Sequence, residues 1–330
     1  MGRVVLVTGI SRDIGRRFAR HAAADPSIDR VIGVDVVPPR GDIGEVSFVR
    51  ADIRNAVIAK VIAREQVDTV VHMSVIATPG RSGGRNAMKE LNVLGTMQLL
   101  AACQKVESVK HLVVKSTTTV YGGSSRDPAM FTEDMGPKSV PRSGYAQDVY
   151  EIEGYVRGFA RRRPDVRVTT LRCANVIGPH VESPLTNYFR MSVIPTVLGF
   201  DPRMQFLHED DLYDVLRHAA TTDVSGTFNV AGDGMVLLSQ VIRRLGKLNV
   251  PMPGFAVARA VTALRSARLT DFSREQLAFL TYGRGVDTTR MRQELGFEPN
   301  YSTAEALEDF GYSLGHTLAS GPVKAGAARA

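Results

Sequence analysis

Eight residues near the start of the chain, Thr8-Gly9-Ile10-Ser11-Arg12-Asp13-Ile14-Gly15, have the spacing of a turn that can cradle a diphosphate. Gly9 lets backbone approach the anion, and the helix that follows Gly15 offers unpaired N–H groups at its positive end. Twenty residues beyond Gly15 stands Asp35, whose carboxylate can hold the hydroxyls of an adenosine ribose. Together these groups have the chemistry to bind a nicotinamide dinucleotide. Gly9, Arg12, Asp13, Ile14, Gly15, Asp35 and the adjoining Val36 are therefore candidate cofactor contacts. A glycine-spaced turn alone is often just a tight turn. Here an apolar strand precedes it, a helix follows it, and the acid lies at the required distance.

The elements that must position these residues follow the same alternation. Val4 to Val7 reads as a buried strand, followed by a helix to about His21 and a second strand, Val31-Ile32-Gly33-Val34. Ser47-Phe48-Val49 leads to Asp52-Ile53 and a helix to about Arg64, and Val67 to His72 is a further apolar run. A loop from Thr78 opens a helix over Asn86–Val106, then come a strand from His111, a helix over Tyr145–Arg163 and a strand over Val166–Arg172. Strands apolar on both faces and joined by helices imply a parallel, doubly wound α/β sheet of Rossmann type. From Gly178 onward the rhythm breaks. This predicts a nucleotide-binding domain over 1–175, a smaller substrate lobe over 176–318 that is partly interleaved with it, and a disordered tail over 319–330.

Composition narrows the function classes. The chain has 330 residues and a net charge of +7, but its basic residues are scattered. The densest run, Arg161-Arg162-Arg163, closes a helix before Pro164 and has no interleaved aromatics, so no nucleic-acid partner is expected. Cys103 and Cys173 fit neither a zinc site nor a disulfide framework, and no apolar stretch is long enough to span a bilayer. The expectation is a cytoplasmic protein with no metal and no membrane partner.

Further along, the chain resembles the extended short-chain dehydrogenase/reductase superfamily, specifically its NAD-dependent epimerase/dehydratase family. The resemblance rests on Asp52-Ile53, His72-Met73-Ser74-Val75, Asn92-Val93-Leu94-Gly95-Thr96, Ser116 to Gly122, Phe131-Thr132-Glu133-Asp134, Leu171 to Pro179, Phe206 to Asp211 and Gly226 to Val230. It implies that Asp52 and Ile53 meet adenine and that Met73, Ser74, Val75, Asn92 and Ala174 line the cofactor, which is NAD rather than NADP because Asp35 would repel a 2′-phosphate. It implies Tyr145 as the proton acceptor, Thr117 as its hydroxyl partner, and Asn175 among the substrate contacts. The implied activity is that of an NAD(P)-dependent epimerase or oxidoreductase acting on a hydroxyl of a small polar substrate, with nucleotide sugars as one class. The implied assembly is a homodimer pairing through the helices over Asn86–Val106 and Tyr145–Arg163.

Several positions depart from that pattern. Valine stands at 149, where relatives carry a lysine that grips the nicotinamide ribose and lowers the tyrosine's pKa; valine can do neither. Three readings follow: redox chemistry is lost, leaving a non-catalytic or regulatory NAD(P)-binding protein; another cation serves; or Tyr145 works by a different route. Lys115 is the candidate cation, two residues before Thr117 and on the same side of the pleat, with a structural pairing at the strand end as its other reading. Arg12 replaces a glycine of the turn, where it can contact phosphate or crowd the site. Thr118-Thr119 replaces an acidic pair, which disfavours dehydration, and Met204 replaces an arginine, for which Arg203 can compensate. Arg81 and Arg85, on a loop near the active-site mouth, are candidate anion clamps for substrate. His72 is read as a neutral strand-end residue, and the His208–Asp211 run as structural rather than metal-binding.

Overall fold

A computed structural model describes residues 2–77, 83–138, 140–141, 144–257, 259 and 274–315. Arg81 and the segment 319–330 lie outside the described residues. Seven parallel strands form the central sheet. In chain order they are β1 (Arg3–Thr8), β2 (Ile28–Asp35), β3 (Ser47–Arg50), β4 (Thr69–His72), β5 (His111–Thr117), β6 (Arg167–Cys173) and, after shorter strands, Gly226–Val230. Across the sheet the order runs from Gly226–Val230 through β6, β5, β4, β1 and β2 to β3. The chain thus winds outward in both directions from β1, and a crevice opens at the carboxyl ends beside it.

Helices α1 (Asp13–Ala23), α2 (Val57–Arg64), α3 (Arg85–Lys89), α4 (Gly95–Lys105) and α5 (Gly144–Arg162) provide crossovers, and a π-helical turn over Glu90–Leu94 joins α3 to α4. Successive strand residues feed opposite layers. Val5, Val7, Val71 and Val113 pack with Phe18, Ala22, Leu212 and Leu216 on one face. Leu6, Val70, Leu112 and Val114 pack with Ile58, Leu99, Ile152 and Phe159 on the other.

From Asn175 onward the chain adds three two-stranded pairs, helix α6 (Pro184–Arg190) and a further core, which includes Phe189, Phe206, Ile242, Leu307 and Phe310. The break in rhythm after Gly178 is not complete. Helix α7 (Glu209–Thr221) and the strand Gly226–Val230 return to the main sheet, the strand pairing with β6 from Gly226↔Thr169 to Val230↔Cys173. No described helix is long and apolar enough to cross a membrane.

A buried polar network holds the sheet's carboxyl edge. Arg172 of β6 donates to Glu153 of α5 (Nη2 to Oε2, 2.7 Å), to the Tyr121 hydroxyl (2.9 Å) and to the Glu133 carbonyl (2.9 Å). Ser116 of β5 donates to the same Glu153 (2.6 Å).

Two strand histidines tie stability to pH. Burial holds His72 and His111 neutral, each pushed down to about 4, with nearby arginines acting in the same direction. In the unfolded chain such groups titrate near 6.5 and take up protons that the fold refuses. Stability is therefore full above about pH 6.5 and falls as pH drops toward 4, at about 1.4 kcal/mol per unit per histidine. Urea unfolding at pH 7.5 and 5.0 should show this loss, with His111→Gln flattening it; equal stability at both pH values contradicts the account.

Candidate functional site

At the end of β1, Gly9 adopts φ +84°, in the left-handed region. A Cβ there would sit 3.2 Å from the Ser74 backbone and hydroxyl, and one on Gly15 would sit 2.3 Å from the Gly9 carbonyl oxygen. The two glycines thus let the turn fold against β4 and let α1 close on the turn. Asp35 ends β2, and its carboxylate accepts from the Ser11 amide (3.1 Å), the Ser11 hydroxyl and the Val36 amide (2.8 Å). These bonds fix the acid at the rim of a cleft of about 1240 Å³ that is lined by the turn, Asp35, Lys115, Thr117, Tyr145 and Asn175.

Arg12 is the N-cap residue of α1, with its side chain making no cap hydrogen bond. The guanidinium sits within the cleft; burial lowers its pKa, opposed by the negative charge of Asp35 and by Tyr145. A cation at the positive end of a helix is unfavourable unless an anion joins it. A glycine turn, an acid twenty residues beyond it and an arginine at the helix N-terminus fit a dinucleotide.

The same cleft is lined by hydroxyl-bearing side chains. Thr117 ends β5 and its Oγ1 accepts from the Thr119 amide (3.3 Å). Lys115 lines the same wall, and among the described residues its ammonium has no hydrogen-bond or ion-pair partner. It is therefore not paired to an acid behind the sheet. Its charge acts on Cys173, whose thiol burial pushes up to about 11. The Tyr145 phenol is also raised well above its ordinary value, first by burial and then by Cys173 and Asp148; Arg12 is the cation that opposes this.

Val149 is buried in the core, and its neighbour Asp148 anchors the start of α5. Asp148 accepts two bonds from Arg85 (2.7 and 2.6 Å) and one from Asn92 (3.0 Å), while Arg85 also donates to the Gly144 carbonyl (2.8 Å). Asn92, on the π-helical turn, additionally accepts from the Ile76 amide (2.8 Å) and donates to its carbonyl (2.9 Å). Arg85 and Asn92, expected as substrate and cofactor contacts, brace the tyrosine-bearing helix and the loop after β4.

The other expected residues divide. Gly9, Arg12, Asp13, Ile14, Gly15, Asp35, Val36, Met73, Val75, Ala174 and Asn175 line the cleft. Ser74 backs Gly9, Ile53 packs in the core beneath Gly95, and Asp52 is bound by Arg54 (2.7 Å). Arg203 is exposed on a two-residue strand outside the cleft lining. His72 shares hydrogen bonds with Thr8 and Thr96 (2.9 Å each), as befits a neutral structural group. No cluster of metal-binding side chains occurs among the described residues.

Sequence reasoning missed Arg284, which lines the cleft, donates to the Gly122 carbonyl (Nε, 3.0 Å) and has its pKa lowered by burial to about 10. The Gly283-Arg284-Gly285 run was the available signal for a cation on a tight turn. His180 was missed as well; it lines the cleft and pairs with Glu209 at 3.2 Å.

The family model described as "NAD dependent epimerase/dehydratase family" matches residues 5–231. The uncharacterized protein Rv0501 of Mycobacterium tuberculosis is 49% identical over 312 residues, covering 93% of this chain and 83% of the relative. The structure of UDP-glucose 4-epimerase from Thermotoga maritima with UDP-glucose aligns at a TM-score of 0.72 and 19% identity, over 94% of this chain and 98% of that one. UDP-glucuronic acid 4-epimerase from Bacillus cereus, in complex with UDP-glucuronic acid and NAD, aligns at 0.72 and 18% identity, over 94% and 99%. These two likenesses establish the fold.

Proposed function

The chain belongs to the NAD dependent epimerase/dehydratase family, and from that premise we propose that it is an NAD-dependent epimerase or oxidoreductase acting on a hydroxyl of a small polar substrate. Nucleotide sugars are the first class to test, because similarly folded proteins are described with UDP-glucose and UDP-glucuronic acid. The observation that carries the reading is one continuous cleft lined both by Asp35 and the glycine turn and by Thr117 and Tyr145. NAD is favoured over NADP because the fixed Asp35 carboxylate would repel a 2′-phosphate.

The nicotinamide ring, when bound, supplies the site that accepts and returns a hydride. In the proposed roles, Thr117 Oγ1 and the Tyr145 hydroxyl hold the reacting substrate oxygen, and Tyr145 takes its proton. A phenol kept protonated by burial is a poor base unless positive charge favours the phenolate. With Val149 in place of lysine, the charges available on the cleft wall are Lys115 and Arg12. Arg12 stands on the glycine turn, where a diphosphate would claim it, which leaves Lys115 for Tyr145. The raised Tyr145 favours one other reading, a non-catalytic or regulatory protein that binds the dinucleotide without hydride transfer.

The homodimer is part of the proposal: Leu94 and Met97 beside and on α4, and Tyr155 on α5, expose apolar surface on the two helices expected to pair. Light scattering of the purified chain should give twice the monomer mass, and a monomer at micromolar concentration contradicts this. For activity, a panel of nucleotide sugars is incubated with NAD, with products and cofactor reduction followed. Turnover is expected, lost in Tyr145→Phe, reduced about 10²–10⁴-fold in Lys115→Met and partly restored by adding Val149→Lys. NAD binding without turnover would establish the non-catalytic reading, and full activity of Lys115→Met would remove Lys115 from the chemistry.

A further inference from the structure

Outside the hydroxyl end of the cleft, one titratable pair has no role in the chemistry above. Glu209 opens α7 with its side chain only 3% exposed. Its Oε1 accepts from the His180 amide at 2.9 Å and faces His180 Nδ1 at 3.2 Å, while Oε2 accepts from the Tyr213 hydroxyl at 3.3 Å. Space for the carboxylate comes from Gly178, where a Cβ would stand 2.5 Å from Glu209 Oε1. A buried carboxylate against Nδ1 fixes the ring's orientation and tautomer, placing the proton on Nδ1. His180 itself is 54% exposed and lines the cleft, and its Nε2 has no protein partner among the described residues.

The position of the pair along the cleft follows from its neighbours. Helix α7 packs against α1, and the Arg17 guanidinium of α1 senses both Glu209 and Tyr213. The pair therefore faces the glycine-turn side, where the N-terminus of the 11-residue α1 and Arg12 already favour an anion. The acids lining the cleft are Asp13, bound by Arg16 and Arg17, Asp35, held by Ser11 and Val36, and the exposed Glu182 of the His180 loop.

We infer that His180, oriented by Glu209, is a binding residue for the phosphates of the dinucleotide, donating from Nε2–H as an imidazolium. The assignment rests on the dinucleotide reading above and extends it to a residue on the lobe side of the cleft. An anion at Nε2 draws a proton onto a neutral ring, and the Glu209 carboxylate opposite Nδ1 compensates the resulting charge. Binding therefore takes up protons, through a group on the loop after the strand Asn175–Ile177.

The experiment is calorimetric titration of the full chain with NAD, ADP-ribose and inorganic pyrophosphate at pH 7.5. Two buffers of different ionisation enthalpy report the protons exchanged. Wild type should take up protons with each ligand. His180→Ala, a change at a half-exposed side chain, should bind each about 10- to 100-fold more weakly and lose the uptake. Glu209→Gln should keep binding but lose part of the uptake. Unchanged affinity and uptake in His180→Ala overturn the assignment. Failure of wild type to bind NAD or ADP-ribose counts against the dinucleotide reading, and pyrophosphate then decides this one: weaker binding in His180→Ala supports it, while equal binding or none overturns it.

Discussion

The buried Arg172 guanidinium is the constraint on which the site's geometry depends. Burial works against its charge, but hydrogen bonds and attraction from Glu153 outweigh this and raise its pKa. With Ser116 bound to the same Glu153 and the Tyr121 hydroxyl bound to Arg172, strands β5 and β6 and helix α5 are locked at their cleft ends. That lock sets the register in which Thr117 lies opposite Cys173 and Lys115 opposite Leu171. It also orients α5, whose first turn presents Tyr145. Leaving either member of such a buried pair uncompensated costs about 3–5 kcal/mol, so the network is held by necessity once it has formed.

Two further buried groups complete the scaffold from opposite sides. Asp148 gathers Arg85 and Asn92 beneath Tyr145, while Glu209 gathers His180 and Tyr213 beneath the glycine-turn end. Each carboxylate sits on or beside an element that faces the cleft and holds a second element to it. The negative charge of Asp148 also raises Tyr145, so the anchor of the tyrosine's helix opposes phenolate formation. This tension is sharper because position 149 supplies no lysine. It makes the cleft cations Lys115 and Arg12 chemically consequential.

Local patterns made the fold legible. The apolar runs at Val4–Val7, Val31–Val34 and His111–Val114 all became sheet strands, and the glycine turn with Asp35 lies on the cleft as its spacing required. What sequence could not reveal depends on pairings across long separations. Arg85 meets Asp148 63 residues on, and His180 meets Glu209 29 residues on. Arg284 reaches Gly122 across 162 residues. No periodicity encodes such contacts; they exist only once the strand order brings the loops together. The return of Gly226–Val230 to the main sheet was obscured for a related reason, since four short strands, Asn175–Ile177, Val193–Val197, Arg203–Met204 and Phe206–His208, interrupt the alternation before it.

The proposed selection of an NAD-type dinucleotide rests on the fixed Asp35 carboxylate and on Arg12 at the glycine turn. Its most direct test is calorimetric titration of the purified chain with NAD and NADP under identical conditions. NAD should bind with a Kd below about 1 mM, and NADP more weakly by about tenfold, roughly 1.4 kcal/mol, through repulsion at Asp35. Absence of binding by both, or a preference for NADP, would contradict it.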